Sequence, residues 1–149
     1  MRAVVQKTLA SSVTSEGVET GRISHGLTVL LGVANDDNDK DVQYMVDKIS
    51  HMRIFEDEDG KLNRSLLDVQ GELLVVSQFT LYGDIRHGRR PSFTQAASPE
   101  LAEALYDQFV TAMKSLGIHT ETGCFRTEMV VSLKNHGPVT ILVDSKKGF

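Results

Sequence analysis

The segment Ser77–Asp84 is the first part of this sequence whose residue types could support chemistry. An apolar run, Leu73–Val76, ends there abruptly in a serine and a glutamine, with a phenylalanine and a threonine directly after them. The residues that follow have no helical or strand periodicity, and an irregular segment of that length in a compact domain is usually functional. We therefore treat this segment and the loop after it as a candidate site.

That loop contains three arginines within five residues, Arg86, Arg89 and Arg90, in a chain whose net charge is negative. Guanidinium groups match phosphate oxygens in a bidentate manner, so one interpretation is a local phosphate-binding arm. The alternative is an ordinary solvated loop. The residues alone do not decide between the two.

A second unusual segment is Asn135–Thr140, which reads Asn-His-Gly-Pro-Val-Thr. Proline lacks a backbone N–H, so Pro138 belongs at a sheet edge or at a bulge. Gly137 before it permits backbone conformations that other residues refuse. The simplest interpretation is a plain turn between two strands, since only about 5–6% of X–Pro bonds are cis.

Several familiar catalytic arrangements are absent. The five histidines form neither an HExxH motif nor a short-spaced pair with Cys124, the single cysteine, so we predict no catalytic metal. There is also no glycine-rich phosphate loop and no nucleophile elbow. A lone cysteine is more often a small hydrophobe than a nucleophile. The sequence therefore predicts no cofactor and no complete nucleophile–base set.

The composition limits the class of protein. The chain has 149 residues, of which 40% are hydrophobic, and this predicts one domain, residues 1–149, that needs no disulfide. A net charge of −4 excludes nucleic-acid binding by bulk positive charge but allows a local basic patch. No apolar run approaches the roughly 18–20 residues of a membrane span. We expect a cytoplasmic protein that binds neither membranes nor DNA.

The elements that must position these segments indicate a mixed α/β domain with its helices on one side of the sheets. One helix begins behind Asn38 or Asp39 as N-cap, and a second begins at Ser98 and ends before Gly117. A hairpin turns at Gly17. The other predicted strands are one that opens at Ala3–Val5, and Leu27–Val33, Leu73–Thr80, Ile118–Glu121, Met129–Leu133 and Val139–Val143.

Together these motifs resemble the D-aminoacyl-tRNA deacylase family, in its bacterial and eukaryotic D-tyrosyl-tRNA deacylase branch. The resemblance covers essentially the whole chain and is most specific in two signatures, SQFTL from Ser77 to Leu81 and NxGPxT from Asn135 to Thr140. It implies a three-layer β/β/α fold and a homodimer. It also implies hydrolysis of the ester between a D-amino acid and the terminal adenosine of tRNA, and of glycine mischarged on tRNA for alanine.

The resemblance implies roles for individual residues. The catalytic group would be Ser77, Gln78, Phe79 and Thr80, with the N–H groups of the last two forming an oxyanion hole. The 2′-hydroxyl of the substrate ribose would activate or position water. Gly137 and Pro138 would form a cis peptide that enters the partner subunit's active site and excludes L side chains. The implied substrate- and tRNA-binding residues are Phe125, Met129, Arg90, Asn135 and Thr140.

The chain departs from the family pattern at Arg126 and Thr127, which replace small residues. They either crowd the adenosine pocket or give Arg126 a phosphate contact. His136 stands where aspartate is common, and it either titrates near the site or is simply exposed.

Two other functions remain open. One is a non-catalytic dimeric module that binds the tRNA end through the arginine loop and Phe125. The other is a general esterase acting through Thr80 or Ser77, which we rank lower because no recognisable motif supplies a base.

Overall fold

The computed structural model describes residues 1–149 and contains eight strands, two α-helices and one 3₁₀ turn. The helices are α1 (Asp39–His51) and α2 (Pro99–Ser115), and the 3₁₀ turn is Phe79–Tyr82. The strands are β1 (Arg2–Ser15), β2 (Val18–Ile23), β3 (Gly26–Gly32), β4 (Phe55–Glu56), β5 (Leu62–Arg64), β6 (Glu72–Ser77), β7 (Thr120–Thr122) and β8 (Met129–Asp144).

Strand β1 organises the main sheet because it pairs along both edges. On one edge its first half is antiparallel to β3 and its second half to β2, while β8 runs antiparallel along the other edge. Beyond β3 lie β6 and β7, each parallel to its neighbour. The sheet curls until β2 meets β7, so closely that a Cβ at Gly21 would lie 2.7 Å from the carbonyl oxygen of Thr122.

Two cores lie on the two faces of this curled sheet. The larger one joins the buried sides of α1 and α2 to one face. The smaller one, inside the curl, is formed by Val13, Ile23, Leu74 and Val76. The predicted mixed α/β architecture, with both helices on one side, is confirmed. Neither helix is long and apolar enough to cross a membrane.

The predicted helix ends are also confirmed. The Asn38 side chain accepts a hydrogen bond from the Lys40 N–H, and Asp41 accepts one from the Asn38 N–H, which completes a capping box. The Ser98 hydroxyl accepts from the Leu101 N–H at the start of α2. Gly117 follows α2 with φ +82°, the left-handed conformation that ends many helices.

Two strand predictions are wrong. Strand β6 ends at Ser77 rather than Thr80, because its parallel pairing with β3 stops at Leu31. The two short strands predicted on either side of Asn135–Pro138 are one strand, β8, and the segment between them is a bulge rather than a turn.

The register shows the size of this bulge. Gln6 pairs with Thr140 and Thr8 with Asn135, so four residues of β8, 136–139, stand opposite the single residue Lys7. Strand β1 is long enough to pair with β8 on both sides of the extra residues, and the chain therefore never has to turn. We call residues 136–139 the β8 bulge.

Candidate functional site

A cleft of about 560 Å³ opens at the carboxyl end of β6. Its walls come from the end of β6, the first turn of α2, the turn between β7 and β8, and the start of β8. The lining residues are Val76, Ser77, Gln78, Phe79, Ala97, Pro99, Ala102, Phe125, Arg126, Thr127, Met129 and Val131. Carboxyl ends of parallel strands are a common place for binding sites, because loops and helix starts converge there.

The predicted site residues fall into two groups. Five of them line the cleft: Ser77, Gln78, Phe79, Phe125 and Met129. The other six do not: Thr80, Arg90, Asn135, Gly137, Pro138 and Thr140. Thr80 is next to the cleft on the 3₁₀ turn, whereas the last four belong to the β8 bulge or flank it.

The 3₁₀ turn presents backbone donors at the rim of the cleft. It is anchored by the Gln78 N–H, which donates to the carbonyl of Leu31 at 2.8 Å. Phe79 and Thr80 occupy its first two positions, and N–H groups there have no acceptor within their own helix. The Thr80 hydroxyl accepts a hydrogen bond from the Gln78 side-chain amide. An amide donor cannot take up a proton, so this contact does not activate the hydroxyl as a nucleophile.

Phe125 lines the opposite wall of the cleft and contacts the buried Tyr106. The rings of Phe125 and Tyr106 have centroids 6.3 Å apart at 38°. The buried Tyr106 hydroxyl donates to the carbonyl of Val75 at 2.8 Å, and burial raises the pKa of Tyr106, which keeps it a donor. Sequence reasoning missed Tyr106. The available signal was a polar-tipped aromatic at a buried position of α2, and such groups usually have a partner.

The arginine loop is tied to the edge of the cleft. Asp84 and Ser92 exchange two backbone hydrogen bonds of 2.8 and 2.9 Å, and the rings of Phe79 and Phe93 meet edge to face at 5.1 Å. The Asp84 carboxylate accepts from the side chain and the backbone N–H of Arg86, which lowers the pKa of Asp84 well below its usual range.

This ion pair divides the three arginines of the loop. Arg86 is neutralised locally by Asp84. Arg89 and Arg90 are exposed and pair with no carboxylate. The cationic part of the loop is therefore these two residues.

The β8 bulge is closed at its neck by side chains. The Asn135 amide donates to the Thr140 hydroxyl at 2.9 Å, and the Gln6 amide approaches the same oxygen at 3.4 Å. The Gly137–Pro138 peptide is cis and both residues are exposed. Gly137 has φ +120°, and a Cβ there would lie 2.7 Å from Cγ2 of Val139, so only glycine fits without strain.

The bulge is far from the cleft of its own chain. Val131 lines the cleft, and Gly137 lies six residues further along the same extended strand. At about 3.3 Å per residue, roughly 20 Å separates the two positions. The structure thus brings together the segment predicted to be catalytic and the Phe125–Met129 wall, but not the bulge.

Two of the five histidines, His25 and His136, lie at the bulge, and none of the five lines the cleft. Burial lowers the pKa of His25 below its ordinary value, and the nearby charges of His136 and Lys7 lower it further. Lys7, opposite the bulge, is itself almost fully buried at 3% exposure, whereas His136 is exposed.

Metal ligands are not clustered anywhere in the chain, since no group of three or more His, Cys, Asp or Glu side chains could hold an ion. Cys124 is exposed in the turn after β7, so its interpretation as a small hydrophobic side chain in the protein interior is wrong.

Comparison with known proteins finds close relatives along the whole chain. The family model described as D-Tyr-tRNA(Tyr) deacylase matches residues 4–144. Proteins named D-aminoacyl-tRNA deacylase are 56% identical in Thermosipho africanus and 58% identical in Clostridioides difficile, each over 149 residues and all of both chains.

Two solved structures share the fold. One, described as a c-Myc DNA unwinding element binding protein, is 40% identical with a TM-score of 0.89 and covers 97% of this chain and 98% of its own. The other, described as a probable eukaryotic D-amino acid tRNA deacylase, is 19% identical with a TM-score of 0.84 and covers 95% and 97%. The second comparison concerns the fold alone.

Proposed function

We propose that this chain, which belongs to the D-Tyr-tRNA(Tyr) deacylase family, hydrolyses D-aminoacyl-tRNA in the cytoplasm. The products are a free D-amino acid and tRNA. The observation that carries the proposal is the cleft at the end of β6, where unused backbone donors stand beside an aromatic wall. Such a cleft suits an ester carried on a nucleoside, with the carbonyl at the donors and the base at the ring.

The chemistry needs no side-chain nucleophile. Water attacks the carbonyl carbon, and the N–H groups of Phe79 and Thr80 stabilise the oxyanion that forms. The bond from the carbonyl carbon to the 3′ oxygen of the ribose then breaks, and that oxygen takes a proton. The substrate's own 2′-hydroxyl positions the water. Ser77 and Gln78 hold the end of β6 at the cleft, and the amide of Gln78 fixes the Thr80 hydroxyl as an acceptor.

The tRNA end is held through a small contact. Phe125 and Met129 support the terminal adenine, and Arg90 in the arginine loop contacts a backbone phosphate. Because the chain carries a net charge of −4, the number of neutralised phosphates is small. We therefore expect a shallow dependence of binding on salt.

Chiral selection requires a second subunit in this proposal. The β8 bulge lies roughly 20 Å from the cleft of its own chain, so Gly137 and Pro138 can meet the substrate only in a partner's cleft. Strand β8 has an unpaired outer edge on which Ile141 and Leu142 are 36% and 55% exposed, and these side chains support a two-fold contact.

The bulge would select the substrate by backbone contacts. Its carbonyl groups bind the substrate ammonium group and leave no space where an L side chain would project. Asn135 and Thr140 hold the bulge in shape through their hydrogen bond. Glycine has no side chain to exclude, so glycine mischarged on tRNA for alanine is also a substrate.

The test is deacylation of D-Tyr-tRNA, L-Tyr-tRNA and Gly-tRNA, side by side and without added metal. We expect rapid loss of the D-tyrosyl and glycyl esters while the L-tyrosyl ester is spared. Equal hydrolysis of D and L esters would contradict the chiral filter. Tight tRNA binding without turnover would instead favour the non-catalytic binding module.

DNA provides a control for the same experiment. A 40% identical structure is described as a DNA unwinding element binding protein, whereas we expect no DNA binding by this chain. A DNA strand ending in the same CCA sequence should not compete with tRNA at equal concentration. Competition by DNA would contradict the expectation that this chain binds a tRNA end and not DNA.

A further inference from the structure

The turn between β7 and β8 is fixed by a threonine. The Thr127 hydroxyl donates to the carbonyl of Cys124 at 2.8 Å and accepts from the Ser15 hydroxyl at 2.6 Å. The Thr127 N–H donates to the same carbonyl at 3.4 Å. These contacts tie the turn to the end of β1, so Thr127 has a structural role at the wall of the cleft.

Arg126 lies in the middle of this turn with φ +63°. Its side chain is exposed, and Arg126 is the one charged residue among those that line the cleft. It takes part in no ion pair and no side-chain hydrogen bond within the chain. A rigid turn therefore presents an uncompensated guanidinium group at the cleft.

We propose that Arg126 binds the phosphate that joins the terminal adenosine of the tRNA to the nucleotide before it. This inference rests on the proposed function, because that function puts the adenine on Phe125. The base and the 5′-phosphate of one nucleotide are attached to the same ribose, through C1′ and C5′. An arginine next to the residue that holds the base is therefore close enough to reach that phosphate. A planar guanidinium group binds two phosphate oxygens at once, which lysine cannot do.

The contact makes Arg126 a specificity-determining residue of this chain. In this chain the guanidinium group adds recognition of the penultimate linkage. This contact makes the protein bind a tRNA end more tightly than a free aminoacyl nucleoside.

The test uses two probes that need no hydrolysis, adenosine and the dinucleotide CpA, with dissociation constants measured by titration calorimetry or NMR. We expect the unaltered protein to bind CpA about tenfold more tightly than adenosine. Arg126→Ala should remove this preference, and Arg126→Lys should restore only part of it. Lys114→Ala removes one exposed positive charge at the far end of α2 and should preserve the preference.

Two results would overturn the inference. One is an unchanged CpA preference in Arg126→Ala. The other is tighter adenosine binding in that variant, which would mean that the side chain crowds the pocket.

Deacylation, measured separately, distinguishes this inference from the proposed function. A lost CpA preference in Arg126→Ala together with no hydrolysis by the unaltered protein would contradict the function and support the phosphate contact. Normal hydrolysis with an unchanged CpA preference in the variant would refute the phosphate contact alone.

Discussion

The proposal that the cleft of one subunit meets the β8 bulge of its partner predicts how a dimer of two different variants behaves. Gly137→Ala changes the bulge, because the new Cβ would lie 2.7 Å from Cγ2 of Val139 and φ is +120°. Such backbone strain costs about 1–3 kcal/mol, which is enough to displace the native bulge. Phe125→Asp inactivates the cleft by removing the ring and adding a charge that repels phosphate.

The expected magnitude follows from two-fold symmetry. A heterodimer of the two single variants contains one intact cleft, and that cleft faces the native bulge of the Phe125→Asp subunit. Its hydrolysis of D-Tyr-tRNA should be about half that of the unaltered dimer, with L-Tyr-tRNA spared. The other cleft of the same dimer is inactive.

The assay isolates heterodimers through two different affinity tags and measures the initial rates of D-Tyr-tRNA and L-Tyr-tRNA hydrolysis. The matched control pairs an unaltered subunit with a Gly137→Ala/Phe125→Asp double variant. In that control the intact cleft faces the altered bulge, so its preference for the D ester should fall. The opposite result would be a control dimer that prefers the D ester and a first heterodimer that does not. It would show that each bulge acts on the cleft of its own chain.

Three further predictions concern single side chains. Thr80→Ala should keep its turnover rate within about tenfold, because its hydroxyl bonds only to the Gln78 amide; complete loss with tRNA binding intact would make Thr80 the nucleophile. Tyr106→Phe should lower the free energy of unfolding in urea by about 1–2 kcal/mol, because the buried hydrogen bond to Val75 is lost; no measurable change would contradict this. The lowered pKa of His25 means that the folded state binds fewer protons than the unfolded state, so stability should fall as the pH drops from about 7.5 to 5.5. His25→Gln should reduce that fall, and identical pH profiles would refute the assignment.

Local signals in the sequence were sufficient to predict both helices and about half of the residues that line the cleft. Capping depends on residues within one turn of each other, so Asn38 and Ser98 could be recognised without knowing the fold. The polar end of β6 was visible for the same reason. The end of β6 at Ser77 could not be predicted from local signals, because the length of β3 decides where the pairing of β3 with β6 stops.

The bulge and the cleft wall depend on distant parts of the chain. The sequence around Gly137 and Pro138 is typical of a turn. Strand β8 continues through it because the long strand β1 pairs with β8 both before and after the bulge. The contact of Tyr106 with Val75 and that of Thr127 with Ser15 each join separate elements. No periodicity or spacing along the chain encodes such pairs.

The pairing of β1 with β8 also determines when this protein can first act. It joins residues near one end of the chain to residues near the other, from Arg2 with Asp144 to Ser15 with Met129. Non-local pairings of this kind form slowly, because the entropy of closing a long loop is lost before any contact between the two strands compensates for it. A nascent chain on the ribosome that has not yet extruded β8 lacks one wall of the cleft, so β8 must emerge before the cleft can form.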